Sequence, residues 1–168
     1  MIAILDYGSG NLRSAQRAFA TSGVDVVVTS DRATALKANG LVVPGVGAFA
    51  ACMQGLQTVD GEAIIRERIS NERPVLGICI GMQILFQEGS EHAENANHKG
   101  VGVWEGEVSR LNAQILPHMG WNNVESDPNS TLLKGVAGES FYFVHSYAAK
   151  KAVGKMQGWS FHGEKFLA

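Results

Sequence analysis

The chain has 168 residues, 45% of them hydrophobic and 18% charged, which suits one domain with a single sizeable core. Its 14 basic and 16 acidic residues leave a net charge of −2 with no cluster of Lys and Arg, which argues against nucleic acid or an anionic membrane as a partner. Two cysteines, Cys52 and Cys79, are too few for a disulfide framework and fit a reducing, cytosolic compartment; no targeting segment or bilayer-length apolar run is read in the chain.

The first half alternates. Short apolar runs at residues 2–5 (IAIL), 26–28 (VVV), 41–43 (LVV) and 74–78 (PVLGI) are separated by segments of helical spacing, the rhythm of βαβ units. In the first such segment Leu12, Ala15, Ala18 and Phe19 share a helical face, and Gly23 stands where a left-handed C-terminal cap is expected. Ser30 and Asp31 can cap the next helix, ATALKANG. Cys52, in AFAACMQGL, reads as a core residue of an amphipathic helix. Continuous apolar strands imply a parallel sheet covered on both faces, whose ligand site lies beyond the carboxyl ends of the strands. Three loops fall there: DYGSGN, VPGVGAF and GICIGMQ.

The third loop carries the chemistry. In GICIG, residues 77–81, a cysteine at a sharp strand-to-helix turn is flanked by glycines that let neighbouring backbone approach, as in a nucleophile elbow. A thiol at that helix N-terminus is expected to have a lowered pKa, making Cys79 a candidate nucleophile. The amide of Ile80, with amides around Val46 and Gly47 from the neighbouring loop, can face the oxygen of a tetrahedral intermediate. The alternative for Cys79 is a buried, unreactive thiol.

Beyond Gly89 the character changes. The polar spacer EHAENANHKG leads into GVGVWEGEVSRL, FYFVHSY and GKMQGWSFHGEKFLA, rich in aromatic and β-branched residues, which read as antiparallel strands added to the sheet. His and Cys residues are scattered without zinc-site spacing, and no phosphate loop ending in Gly-Lys-Ser or Gly-Lys-Thr is present. Gly8-Ser9-Gly10 follows the first strand, but Arg13 stands where a dinucleotide fingerprint needs glycine.

Together GICIGMQ, PGVGAF, PHMGWN (117–122) and FYFVHSY (141–147) resemble the class I (triad) glutamine amidotransferases. With DYGSGNLRS they are similar, more narrowly, to the HisH subfamily, the glutaminase subunits of imidazole glycerol phosphate synthases. The likeness runs through residues 1–168 as one domain. It implies an α/β, flavodoxin-like three-layer sandwich with a mostly parallel central sheet and antiparallel strands in the second half. It also implies that Cys79 attacks the side-chain amide of L-glutamine without any cofactor, and that ammonia passes to a separate HisF cyclase. There it would convert PRFAR, a ribulose-phosphate aminoimidazole intermediate, to imidazole glycerol phosphate and AICAR.

By matching motif positions, Val46 and Ile80 would donate oxyanion amides. Gln83, Glu91, His145, Ser146 and Tyr147 would hold glutamine, while Asn11 and Trp121 would face the cyclase. Structural alternatives are a helix-surface Gln83, a core Trp121 and an ordinary strand end at His145–Tyr147. The family takes its catalytic His and Glu from a late HPE segment that is not found in residues 1–168. His162 and Glu164 in FHGEK match an earlier stretch of the family pattern and are not expected to replace it. His92, His98, His118 and His145 are not expected to act as the base either. The expectation is therefore of a chain truncated before that motif, with an exposed sheet edge; a shortened module that binds the cyclase without hydrolysing glutamine is the competing reading.

Overall fold

The computed structural model describes residues 1–136, 138–154 and 157–168. Strands β1 (Ile2–Leu5), β2 (Val26–Thr29), β3 (Gly40–Gly45) and β4 (Val75–Cys79) form a parallel sheet in the order β2-β1-β3-β4. Helix α1 (Leu12–Ala20) joins β1 to β2 and α2 (Arg32–Lys37) joins β2 to β3. A pair, α3 (Phe49–Thr58) and α4 (Gly61–Ser70), joins β3 to β4. The caps follow the side-chain chemistry: Asn11 Oδ1 accepts from the Ser14 N–H, Asp31 Oδ2 accepts from the Thr34 N–H at 2.7 Å, and Gly23 takes φ +75° beyond α1. On α1 the half-buried face is Leu12, Ala15, Gln16 and Phe19, whereas Ala18 is exposed, one position off the expected stripe.

The core lies between the parallel strands and α3–α4. Ala3 and Leu5 of β1, Leu41 and Val43 of β3, Phe49, Cys52 and Leu56 of α3, and Ile64 and Ile65 of α4 are almost fully excluded from solvent. Cys52 is thus the core residue its sequence context indicates. The same cluster continues into the second half through Phe86, Val108, Ala149 and Leu167.

That second half does not extend the parallel sheet. After the single turn α5 (Ile80–Gln83) come β5 (Phe86–Gly89), β6 (His98–Lys99), β7 (Trp104–Arg110) and β8 (His118–Asn123). They are followed by β9 (Glu125–Ser126), β10 (Ser140–His145), β11 (Tyr147–Ala149), β12 (Gly158–His162) and β13 (Glu164–Leu167). Among the described residues these strands bond into three sheets of their own, β11-β7-β5-β6, β10-β8 and β13-β12-β9. Residues 155 and 156 of the last strand-like segment lie outside the described residues. The reason is visible in the patterning: β8 and β10 alternate exposed with covered residues, and such strands suit a sheet wet on one side, not one covered on both.

One buried charge ties the amino-end side of the parallel sheet together. Arg68 of α4 is 0% exposed, and its guanidinium donates to the carbonyls of Ala35, Leu36 and Ala38 at the end of α2, Asn39 before β3 and Pro74 before β4, at 2.8–3.5 Å. Those carbonyls include the orphan acceptors of the α2 C-terminus, which a cation satisfies and the helix dipole favours. Replacing Arg68 with Leu strips its donors from these buried carbonyls, of which Ala38 keeps Arg73 and Pro74 keeps the Leu41 N–H, so the variant is expected to unfold at lower urea with a loss of about 3 kcal/mol. An unchanged midpoint would show that the fork is dispensable.

Candidate active site

The register of β3 on β4 builds the site. Pro44 lies opposite Ile78 and Gly45 opposite Cys79, so the loop leaving β3 emerges beside the turn that leaves β4. Cys79 closes β4 at φ 57° and ψ −121°, a conformation that costs a non-glycine residue about 1–3 kcal/mol and persists only where packing enforces it. The packing is backbone on backbone. A Cβ on Gly77 would sit 2.5 Å from the Met82 Cα, and one on Gly81 would overlap the Val43 carbonyl. Glycine at 77 and 81 therefore lets the turn sit directly on its own strand and on β3, which lifts Cys79 into the open.

Its side chain is exposed, at the edge of a cavity of about 380 Å³ lined by Val46, Gly47, Ile80, Gln83, Glu91, Val144, His145 and Tyr147. The thiol departs from expectation in one respect. Burial by surrounding protein pushes its pKa up, and the Ile80 N–H lowers it only in part. The helix behind it is a single turn, too short for a substantial dipole, so thiolate formation depends on a partner base more than on α5.

Each expected oxyanion amide has a definite place. Val46 and Gly47 border the cavity together with Ile80. The Val46 N–H, however, is engaged: it donates to Ser9 Oγ at 3.1 Å. The Val46 carbonyl is 3.1 Å from the same hydroxyl and 3.3 Å from Cys52 Sγ, and Tyr7 Oη donates to the Pro44 carbonyl. Ser9 thus joins the DYGSGN loop to the β3 loop, and the Val46 amide must leave it before meeting a substrate oxygen. Its location in a flagged loop was readable in sequence; its bond was not.

On the opposite wall Gln83, 5% exposed, donates through Nε2 to the Tyr147 carbonyl at 2.9 Å, which rules out a helix-surface role. His145 Nδ1 is 3.0 Å from that carbonyl. Glu91 Oε2 accepts the Phe49 N–H at 2.8 Å, capping α3 while bordering the cavity. Ser146 does not line the cavity; its carbonyl accepts the Leu111 N–H. Trp121 is 72% exposed and stacks edge-on against Tyr142, so it is no core aromatic. Asn11 is exposed and serves as the α1 cap.

His162 and Glu164 are tied elsewhere. His162 Nε2 is 2.8 Å from the Ile115 carbonyl, and Glu164 pairs with Lys150 at 2.8 Å while accepting the Asn112 N–H. Neither lines the Cys79 cavity. Among the described residues no group of three or more His, Cys, Asp or Glu is arranged to hold a metal ion, and no helix is long and apolar enough to cross a membrane.

The sequence profile of class-I glutamine amidotransferases matches residues 3–165. The chain belongs to that family. It is 53% identical over 171 aligned residues to imidazole glycerol phosphate synthase subunit HisH of Mycolicibacterium paratuberculosis, covering 99% of this chain and 82% of the relative. The subunit HisH of Corynebacterium glutamicum is 56% identical over 151 residues, 89% of this chain and 71% of the relative. A solved glutamine amidotransferase superposes with a TM-score of 0.67 over 97% of this chain and 85% of its own, at 18% identity, a likeness of fold. The matched region contains the elbow, with Cys79 between Gly77 and Gly81 at the edge of the cavity.

Because a methyl group at position 81 meets the β3 backbone, Gly81→Ala is expected to shift the turn, lose about 2–3 kcal/mol of stability and make Cys79 unreactive toward glutamine-like electrophiles. Thermal melting and mass spectrometry of the modified thiol read both effects. Retained labelling in a stable variant would show that the turn tolerates the added carbon.

Proposed function

We propose that this chain is the glutaminase subunit of an imidazole glycerol phosphate synthase, acting on L-glutamine in the cytoplasm. The observation that carries the reading is the Cys79 elbow opening into a cavity bordered by Gln83, Glu91 and His145, in a chain 53–56% identical to HisH subunits. Glutamine lies with its side-chain amide over the sulfur. Cys79 Sγ attacks the amide carbon, negative charge gathers on the carbonyl oxygen near the Ile80 amide and the Val46 amide once that has left Ser9 Oγ, the C–N bond breaks, and the nitrogen takes up the proton lost by the thiol and leaves as ammonia. Water then attacks the thioester, frees glutamate and returns the thiol. The Glu91 carboxylate complements the substrate's ammonium group, while Gln83 and Tyr147 shape the wall.

The ammonia is consumed by a HisF cyclase bound to the β8–β10 face. On that face Met119 pairs with Val144 and Trp121 with Tyr142, and all four side chains are at least half exposed. Contiguous exposed aromatics and Met mark an interaction site, and Val144 belongs to both this face and the glutamine cavity. Docking there sets the partner beside the point where ammonia is released.

One observation favours a second reading, a module that docks without hydrolysing glutamine. Among the described residues His145 is the one imidazole bordering the cavity, and both its ring nitrogens are hydrogen-bonded. The chain bound to its cyclase, treated with 6-diazo-5-oxo-L-norleucine, is expected to take one label on Cys79, and none in Cys79→Ser, which still binds the cyclase. No label on the wild-type complex would support the docking module. Trp121→Ala is expected to weaken cyclase binding by about 30-fold or more in titration calorimetry, as loss of a central aromatic anchor does. Unchanged affinity would move the interface elsewhere.

A further inference from the structure

His118, buried at 5% exposure in β8, lies outside the cavity yet touches the residue that borders it. Its Nδ1 is 2.9 Å from His145 Nε2, and its Nε2 is 3.2 Å from Asn122 Nδ2. The direction of every bond follows from the ends. The Tyr147 carbonyl only accepts, so His145 Nδ1 carries the hydrogen and the Nε2 of the neutral ring accepts. His118 Nδ1 must then donate and its Nε2 accept. At the far end the Asn123 N–H donates to Asn122 Oδ1, and Asn122 Nδ2 donates to the Phe161 carbonyl, which leaves its second N–H for His118. One protonation pattern satisfies all of these groups.

We propose that His118 is a positioning residue for the glutamine site: by donating to His145 Nε2 it holds that ring uncharged, with its Nδ1–H on the Tyr147 carbonyl. The inference rests on reading the cavity as the glutamine site. A charge on His145 would stand beside Glu91 and the ammonium group of glutamine, competing for one and repelling the other. Within the cavity Cys79 and Tyr147 are the other titratable groups bordering it with Glu91. On the far side His118 and His162 stack at 4.3 Å between ring centroids, and Phe143 and Phe166 complete the surroundings.

A proton added to His145 Nε2 would meet the His118 N–H head-on. Burial first, then the neighbouring His145 and His162, lowers His118 to about 4, and burial with His162 lowers His145. Both shifts favour the neutral rings that the hydrogen-bond pattern requires, so the cavity keeps its charge pattern as the pH falls below an ordinary histidine value.

The test compares His118→Asn with His118→Gln in the chain bound to its cyclase. An asparagine amide falls where Nδ1 was and can still donate to His145, whereas a glutamine amide falls near Nε2 and leaves His145 without its donor. Rates of Cys79 labelling by 6-diazo-5-oxo-L-norleucine separate inhibitor affinity from the bond-forming step. At pH 6, His118→Gln is expected to weaken affinity about tenfold with little change in the labelling rate at saturation, while at pH 8 the loss is small and His118→Asn stays near wild type. Equal affinities in the two variants at pH 6 would overturn the assignment.

Nitrogen-15 spectra of the imidazoles provide the second measurement. Wild-type His145 is expected to show Nδ1 protonated and Nε2 bare below the pH at which an ordinary histidine titrates. A ring that titrates near its ordinary value overturns the proposal even if His118→Gln fails to fold. Wild type that takes no label counts against the glutaminase reading, and the spectra still decide the role of His118.

Discussion

The site depends on one close approach: the turn Ile80–Gly81 lies on the backbone of β3, and no side-chain atom fits between them. That contact fixes the left-handed conformation of Cys79, and the Gly45–Cys79 register delivers the Val46 loop to the same spot. A sulfur held this way needs no flexible tether, because two hydrogen-bonded strands and a turn without room for a methyl define its position. The energy stored in its backbone is small beside the burial of the β1 and β3 side chains that support it.

Around this rigid centre the polar groups are already partnered. Glu91 caps α3, Gln83 and His145 share the Tyr147 carbonyl, and Ser9 engages the Val46 amide. Substrate binding is thus an exchange of partners, since a ligand must compete with existing hydrogen bonds or borrow the lone pairs they leave free. The cavity wall and the exposed β8–β10 face meet on the same short ladder. Val144 borders the cavity and points to the same side as its neighbour in register, Met119. A partner pressing on that face therefore acts on the strand that ends in His145.

Much of this was legible in the residues because it depends on local chemistry. The four parallel strands, the cap at Asp31, the Gly23 turn and the elbow glycines each follow from spacing or from a side chain that has only one good use, whereas Asn11, expected only at the cyclase face, also caps α1. What escaped reading depends on distant contacts. The strands after Gly89 are antiparallel as expected except where β7 runs parallel to β5, and they join sheets of their own and not the parallel one, because alternation reveals which face is wet and not which strand is the neighbour. The thiol of Cys79 was expected to be acidic from its place at a helix start; α5 proved to be one turn, and the protein mass around the sulfur outweighs it. His118 looked like an ordinary motif histidine, since its bond to His145 spans 27 positions.

Arg68 lies at the other pole of the parallel sheet, where its guanidinium gathers carbonyls from α2 and from the entrances to β3 and β4. A clamp there and reactive loops at the carboxyl ends divide the domain into an anvil and a working edge. Vibrational and exchange motion is then free to concentrate where ligands arrive, while the strand roots stay locked. Divergence among homologous chains should follow the same partition, with loop exchange at the working edge leaving the anvil untouched.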